Sequence, residues 1–264
     1  MAMSDDKNNH PQRSYVSRSQ IMSMSPLRQH GIDFQREEHL RRRYIRFIRE
    51  LGITLRLPQH PTIATATVLC HRFFMQQSHS LNDSLLIASA CLFLATKSED
   101  SPCTLSRIVA AYRRLCGSYV PPTPSPTTTS HSLPFPHQQL LHAKFLVLTT
   151  IAVDLIVDHP YKPLLFAINK LKHFQKAGEK ALLQVAWNFV NDSLRTSLSL
   201  QFEPHVIAAA TLWLAAKFLD VKLPSQGERV WWRELDVTPC QLQEVGNQIL
   251  KVCKAVESDT KTSE

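Results

Sequence analysis

Residues 87–97 read IASACLFLATK, and residues 207–217, which lie 120 positions later, read IAAATLWLAAK. Seven of the eleven positions are identical. Small residues recur at helical spacing along one side of each phrase, at Ala88, Cys91 and Ala95 in the first. Because small side chains let neighbouring helices approach closely, each phrase predicts the central helix of a bundle. The repetition indicates two similar bundles in tandem.

Helical patterns extend outward from both phrases. Around the first phrase we predict helices over 35–56, from Pro61 onward, from an N-cap at Asn82 or Asp83 to 99, over 104–114 and over 137–152. Around the second phrase we predict helices over 161–174, 179–194, 203–219, 229–235 and 239–256. Each phrase is therefore the third of five helices, and this matched order favours duplication over chance similarity. The predicted fold class is all-α, with two tandem five-helix repeats.

The predicted organisation has four parts. Residues 1–33 are polar and lack periodicity, which predicts a disordered N-terminal tail. Residues 34–153 form the first repeat, residues 154–256 the second, and residues 257–264 a C-terminal tail. Inside the first repeat, residues 117–137 contain six prolines, eight Ser or Thr and no Asp, Glu, Lys or Arg, which predicts a flexible loop. Its Thr-Pro and Ser-Pro pairs at 123–126 are either minimal phosphorylation sites or part of an ordinary solvated loop.

The composition excludes several classes of protein. The chain has 264 residues, 44% of them hydrophobic, and its six glycines stand singly, so GxGxxG and Walker-type phosphate loops are absent. The longest apolar run, residues 206–216, is far shorter than the ~20 residues of a membrane span. The polar start is not a signal peptide, so we expect a soluble intracellular protein. The six cysteines form no CxxC pair, which predicts structural thiols. The chain also lacks the HExxH and GxSxG motifs, so we expect neither a metal site nor an enzyme.

The formal net charge of +8 is unevenly distributed. Five arginines cluster in the first predicted helix, at positions 41, 42, 43, 46 and 49. They form either a nucleic-acid or nuclear-import patch or the solvated face of an amphipathic helix. The second interpretation is favoured, because Leu40, Tyr44, Phe47, Ile48 and Leu51 define a stripe for burial. No Asp or Glu occurs between Asp100 and Asp154.

Several motifs resemble the cyclin-T branch of the cyclins, in its plant form. In the first half they are CHRFF (70–74) and FLATKSEDSP (93–102), and DHPYKPLL (158–165) opens the second repeat. In the second half they are VAWNFVNDSLRTSLSLQF (185–202), LAAKFLDVKLP (214–224) and VWWRELDVTPCQL (230–242). The resemblance covers about 35–115 and 138–255, nearly everything outside the tail and the proline-rich loop.

The resemblance implies two tandem cyclin folds and a nuclear, non-catalytic regulatory subunit. Such proteins bind a cyclin-dependent kinase of the transcription-elongation class and hold its αC helix inward, which completes the active site. The kinase then acts on the C-terminal repeat of RNA polymerase II. No cofactor, small-molecule substrate or membrane partner is implied.

The resemblance also implies which residues bind the kinase. The interface uses the end of helix 3 and the face of helix 5 of the first repeat. Lys97 matches the family lysine that bonds to backbone groups near the kinase αC helix, and Phe93 and Asp100 match neighbouring contact positions. A structural alternative for Lys97 is a cation that favours the helix C-terminus, since Lys217 occupies the same place in the second repeat.

Helix 5 departs from the family pattern. Counted without gaps from DHPYKP, the position of the family glutamate holds Lys144, and no shift of register restores an acid. Leu148 and Val153 lie on the expected contact face, and Val153 stands where the family has an aromatic residue. Losing the carboxylate leaves a donor on the partner unpaired, at roughly 1–3 kcal/mol. We therefore predict weakened kinase binding or a partner with compensating acidic groups.

Two further functions stay open at this point. The first is a degenerate cyclin that serves as a scaffold and activates no kinase, which the change at Lys144 and the inserted loop favour. The second is a nucleic-acid-binding transcription factor built on the same repeat. Against the second, the chain has no zinc-ribbon motif, and residues 154–264 carry 13 basic and 13 acidic side chains.

Overall fold

Helices and short turns make up the computed structural model, which describes residues 15–119, 136–171, 179–224 and 230–261. Within those ranges the chain contains no β-strand, which confirms the all-α prediction. Four sets of predicted features lie outside the described residues: residues 1–14 of the tail, most of the proline-rich loop with its phosphorylation motifs, the two predicted helix ends at 172–174 and 229, and residues 262–264.

The first described element corrects the prediction of a disordered tail over 1–33. Residues Arg18–Met24 form helix α1, which is capped by Ser17 through a reciprocal bond with Gln20. Ile21 is 1% exposed and Leu27 is fully buried. The sequence pattern missed this segment because two apolar side chains, too few to show periodicity, anchor it against the rest of the molecule.

The first repeat contains the five helices predicted for it, α2 (Phe34–Thr54), α3 (Ala64–Gln76), α4 (Ser84–Ser98), α5 (Leu105–Tyr119) and α6 (Pro136–Thr150). Helix α5 continues five residues beyond its predicted end at 114, so both ends of the predicted loop over 117–137 are helical. Helix α4 begins after Asp83, whose carboxylate accepts from the Leu85 and Leu86 N–H groups, so Asp83 is the N-cap. Nearly every side chain of α4 is buried, which confirms that the repeated phrase forms the centre of the bundle.

The second repeat contains α7 (Tyr161–Leu171), α8 (Glu179–Ser193), the short α9 (Leu198–Gln201), α10 (Pro204–Phe218) and α11 (Pro239–Lys261). Two predictions need correction. The helix expected over 229–235 is, in its described part, a 3₁₀ turn over Arg233–Leu235 that ends at Asp236, which has a positive φ. Helix α11 continues five residues beyond 256, because no glycine or proline follows Gly246 to stop it.

Two hydrophobic cores lie around α4 and α10, and α3 contributes to both. Phe73 and Cys70 of α3 pack in the first core, whereas Ala64 and Val68 of the same helix pack in the second. Since one helix fills part of each core, the repeats form a packed pair rather than two domains on a linker.

A buried histidine also joins the repeats. His71 of α3 lies 2.6 Å from the Tyr44 hydroxyl through Nδ1 and 2.9 Å from the Leu194 carbonyl oxygen through Nε2. A carbonyl only accepts, so Nε2 carries the proton and Nδ1 accepts from Tyr44. Burial, with Arg41 nearby, lowers the pKa of His71 to about 3, so the ring stays neutral.

The arginine cluster of α2 is largely engaged within the molecule. Arg41 is 8% exposed and pairs with Glu37 at 3.0 Å. Arg43 donates to the Tyr119 carbonyl at 3.1 Å, and Arg46 pairs with Glu50 at 2.9 Å. Helix α2 is therefore amphipathic as predicted, but only Arg46 and Arg49 of the cluster are exposed, and Arg41 corrects the prediction of a fully solvated basic face because its ion pair with Glu37 is buried.

Candidate functional site

The C-terminal end of α4 presents Lys97 on the surface. Its ammonium lies 5.6 Å from the ring centre of Phe93, one turn earlier on the same helix. Phe93 is 9% exposed and Lys97 is exposed, so the ring supports the lysine stem while the charge faces solvent. Lys97 also lies in the last turn, where a cation interacts favourably with the helix dipole.

A tight turn follows Lys97. Asp100 adopts φ 47°, and the Ser101 N–H donates to the Thr96 carbonyl oxygen at 3.0 Å. This bond and the left-handed residue are the features of a Schellman motif. The turn fixes Asp100, whose side chain is exposed, on the same end of α4 as Lys97.

The second repeat reproduces this geometry. Lys217 lies 3.9 Å from the ring centre of Trp213. Asp220 adopts φ 52°, and the Val221 N–H donates to the Ala216 carbonyl oxygen at 2.8 Å. Because both repeats share the feature, the lysine and the aspartate have a structural role in each, and geometry at this turn alone does not identify an interface.

Helix α6, which packs against α4, distinguishes the first repeat. Its core side consists of Leu140, Ala143, Val147 and Ile151, all at most 5% exposed. A second apolar stripe lies elsewhere on the helix, where Leu141 is 43% and Phe145 is 65% exposed, with Leu148 half-buried. We call Leu141, Phe145 and Leu148 the α6 outer stripe. Apolar residues on both faces indicate a helix that contacts the core and also a partner.

The second repeat provides an internal comparison for this stripe. In α11 the core positions are Leu242, Val245 and Ile249, which match Leu140, Ala143 and Val147 of α6 at a constant offset. At that offset the α6 outer stripe corresponds to Gln243, Asn247 and Leu250, which are exposed. Two of the three apolar residues are thus replaced by amides. An exposed apolar stripe is therefore a property of the first repeat and not of the fold.

Lys144 lies on α6 between Leu141 and Leu148 and is half-buried. The sequence from residue 101 to 153 contains no acidic residue, so α6 supplies no carboxylate to pair with it. In α11 the equivalent position is Gly246, where a Cβ atom would lie 2.8 Å from the Trp213 ring. The equivalent position in the second repeat is thus buried against Trp213, whereas Lys144 lies half-buried beside the α6 outer stripe.

The segment after α6 extends the apolar surface. Ala152 and Val153 adopt φ 51° and 59°, and Val153 and Ile156 are 65% and 59% exposed. Arg72 of α3 holds the segment, because its Nη1 lies 3.2 Å from Asp154 Oδ2 and also donates to two backbone carbonyls there. Arg72, a residue of the first repeat, thus fixes the segment in which Val153 is exposed.

The structure therefore groups the residues predicted from the sequence on two packed helices and the turns that follow them. Phe93, Lys97 and Asp100 lie at the end of α4, and Lys144, Leu148 and Val153 lie on or after α6. Sequence reasoning missed Leu141, Phe145 and Ile156 as surface residues. The available signal was the surplus of apolar residues in α6, which exceeds what one buried face requires.

Other kinds of site find no support within the described ranges. No group of three or more His, Cys, Asp or Glu side chains there could hold a metal ion. Among the same residues no helix is long and apolar enough to cross a membrane.

Comparison with known proteins gives concordant matches. The family model described as Cyclin, N-terminal domain matches residues 12–156. Cyclin-T1-4 of Arabidopsis thaliana is 46% identical over 94% of this chain and 45% of its own length. Cyclin-T1-3 of Oryza sativa subsp. japonica is 48% identical over 90% of this chain and 48% of its own length. Putative cyclin-T1-1 of Arabidopsis thaliana is 39% identical and is covered over 92% of its length.

The chain thus spans less than half the length of the first two of these relatives. Among solved structures, a chain of the yeast RNA Pol II CTD kinase CTDK-1 complex has a TM-score of 0.68 at 18% identity, over 90% of this chain and 72% of that chain. A chain of the CAK complex from Chaetomium thermophilum bound to ATP-gamma-S has a TM-score of 0.66 at 19% identity, over 90% of this chain and 76% of that chain. These likenesses confirm the fold.

Proposed function

Because the chain belongs to the cyclin family, we propose that it is a non-catalytic regulatory subunit that binds and activates a cyclin-dependent kinase. The observation that supports this most directly is the α6 outer stripe, which is exposed on the helix packed against α4 and which the equivalent helix of the second repeat keeps at only one of its three positions. The cyclin-T relatives support a nuclear kinase of the transcription-elongation class, acting on RNA polymerase II.

The proposed mechanism is a shift of the kinase between two conformations. The Lys97 ammonium, placed by Phe93 and the helix end, donates to backbone carbonyls at one end of a kinase helix. The α6 outer stripe buries against the apolar side of that helix. To change the ratio of active to inactive kinase from 1:99 to 99:1, the cyclin must bind the active conformation about 10⁴-fold more tightly than the inactive one. Burial of Leu141 and Phe145 at about 1.5–3 kcal/mol each supplies much of that difference when only the active helix position meets them.

A second candidate is a cyclin that binds a partner without activating a kinase. The observation that favours it is Lys144, a half-buried cation on a helix without an acid. A kinase surface evolved to meet a carboxylate at this position would repel it. Binding and activation therefore need separate measurements.

The test combines the purified chain with the transcription-elongation cyclin-dependent kinase of Arabidopsis thaliana and measures the Kd and the phosphorylation of a polymerase C-terminal-repeat peptide. Phe145→Asp is expected to weaken binding at least tenfold, because it places a carboxylate in the apolar contact. Asn247→Asp, at the equivalent exposed position of α11, is the matched control and should leave the Kd unchanged.

The outcomes separate the candidates. Tight binding with peptide phosphorylation supports the first, and binding without phosphorylation supports the second. Equal effects of Phe145→Asp and Asn247→Asp, or no effect of either, would show that the α6 outer stripe is not the interface.

A further inference from the structure

The hydroxyl of Thr65 lies at a junction of three parts of the molecule. Its Oγ1 is 2.7 Å from Glu99 Oε1, at the end of α4, and 2.7 Å from His159 Nε2, in the segment that opens the second repeat. Thr65 belongs to the first turn of α3 and is fully buried. A single hydroxyl therefore connects the two repeats and the turn after Lys97.

The hydrogen bonds at this junction have one consistent direction. The Thr65 hydroxyl has one proton and donates it to the Glu99 carboxylate, so it must accept from a protonated His159 Nε2. His159 Nδ1 is then the unprotonated nitrogen, and among the described residues it has no hydrogen-bond partner. Burial, with His60 and Arg72 nearby, lowers the pKa of His159 to about 3, in accord with a neutral ring.

The acceptor of this relay caps the helix that presents Lys97. Glu99 is the C-cap of α4, and its N–H donates to the Ala95 carbonyl. A second contact, from the turn just before α3, holds the same segment, because the Thr62 hydroxyl donates to Ser101 Oγ at 2.8 Å. The turn that fixes Lys97 and Asp100 is thus held on both sides of Asp100, by α3 and by the turn that precedes α3.

We propose that Thr65 is a positioning residue that couples the second repeat to the docking turn of the first. The relay from His159 through Thr65 to Glu99 gives the turn its shape only when the second repeat is in place. Hydrogen bonds in series inside a protein polarise one another, so loss of either end weakens the whole relay. Thr65 is buried and cannot touch a partner, so any effect of its hydroxyl on binding must act through its two hydrogen-bond partners, Glu99 and His159.

The first test measures amide hydrogen exchange in the isolated chain. Thr65→Val keeps the shape of the side chain but removes the hydroxyl. His159→Phe changes only the end of the relay that lies in the second repeat. Each variant should speed exchange of the Glu99 and Ser101 amides about tenfold. Thr67→Val is the matched control, because the Thr67 hydroxyl, also buried in α3, bonds only within its own helix, to the Ile63 carbonyl. It should leave both amides unchanged.

The second test rests on the proposed function and measures kinase affinity. Thr65→Val should weaken binding about tenfold through a smaller population of the competent turn. Thr65→Ser, which restores the hydroxyl, should recover it, and Thr67→Val should not affect it. If Thr65→Val fails to fold, Glu99→Ala tests the relay instead, because Glu99 is half-exposed and its truncation should disturb the fold less.

The results of the two tests are distinguishable. If the wild-type chain binds no kinase, the proposed function fails, and the exchange measurement alone decides on the relay. If Ser101 exchange is unchanged in Thr65→Val, His159→Phe and Glu99→Ala, or if Thr67→Val has an equal effect, the relay is overturned even where the kinase binds.

Discussion

At the scale of single residues, this chain adopts left-handed backbone at non-glycine positions. Arg56, Asp100, Ala152, Asp220 and Asp236 all have positive φ at the ends of helices or turns. Each precedes a residue whose N–H reaches back to close a turn, such as Leu57 to the Gly52 carbonyl oxygen at 2.9 Å. Aspartate tolerates this conformation better than most residues, whereas alanine gains nothing from it.

Ala152→Gly should therefore stabilise the protein. Ala152, at φ 51°, bears a Cβ that costs about 1–2 kcal/mol in left-handed backbone, part of which returns as the higher entropy of an unfolded glycine. We expect the free energy of unfolding, measured in urea, to rise by about 1 kcal/mol. Ala110→Gly, at an exposed site inside α5, is the control and should lower it by about 1 kcal/mol. Equal losses in both variants would contradict the assignment of strain to position 152.

Lys144 is the residue with the most direct bearing on partner choice. Lys144→Glu should tighten binding to a kinase that meets a carboxylate at this position, by about tenfold or more, since it removes repulsion and pairs a buried donor. The change is followed as a Kd together with its salt dependence, which should alter with the sign of the charge. Nanomolar binding by the wild type and an unaltered Kd in Lys144→Glu would show that this position lies outside the interface.

At the scale of elements, α6 shows where periodicity stops being informative. Its apolar residues fall on more than one side, so their spacing does not say whether Leu141, Phe145 and Leu148 lie on the buried side. The fold buries Leu140, Ala143 and Val147 instead, because α6 must pack on α4. The starts of the long helices were predictable within a few residues, since N-caps and prolines mark them, whereas the choice of the buried face depends on tertiary packing.

Helix α1 is one element that sequence reasoning missed, and it connects distant parts of the chain. The Val16 N–H donates to the Leu200 carbonyl oxygen at 2.9 Å, and Arg18 lies 3.5 Å from Glu244, both in the second repeat. Arg28, just after α1, pairs with Glu37 of α2 in the first repeat at 2.9 Å. A seven-residue helix has little stability of its own, so these contacts and Ile21 must hold it in place.

Ile21→Ala should consequently destabilise the whole protein. Ile21 is 1% exposed, and truncation of a buried isoleucine to alanine costs about 2–5 kcal/mol, at the lower end here because a peripheral helix can relax. The expected result is a lower urea midpoint with a single unfolding transition. Met22→Ala, at a neighbouring side chain that is 44% exposed, should change the midpoint little. A midpoint unaffected by Ile21→Ala would mean that α1 is not docked in solution.

At the scale of the whole molecule, the two repeats share an architecture but differ in surface. The repeated phrase was sufficient to predict two bundles, and much of the net charge of +8 comes from the arginines of α2 and from an acid-free stretch that includes α6. What the sequence could not reveal is how the repeats meet, because that depends on side chains far apart in the chain, such as His71 with Leu194 and Thr65 with His159. These contacts join the two repeats through buried hydrogen bonds.

Three histidines, the buried His71 and His159 and the half-buried His79, predict how global stability depends on pH. Burial lowers the pKa of His71, His79 and His159 to about 3, from an ordinary value of 6.5. Between these values the unfolded chain binds protons that the folded chain does not, so stability is complete above pH 6.5 and decreases as the pH falls towards 3. The largest slope is about 1.4 kcal/mol per pH unit for each histidine.

Urea unfolding at pH 7.0 and 5.5 measures this slope, and one variant assigns it. His71→Gln keeps a donor for the Leu194 carbonyl and an acceptor for Tyr44 but cannot be protonated, so it should lose less stability on acidification than the wild type, by about 1 kcal/mol. His39→Gln, at an exposed position on α2, should match the wild-type slope. A His71→Gln slope identical to that of the wild type would mean that His71 is protonated to the same extent in the folded and unfolded chains, and the junction between the repeats would then not depend on a neutral ring.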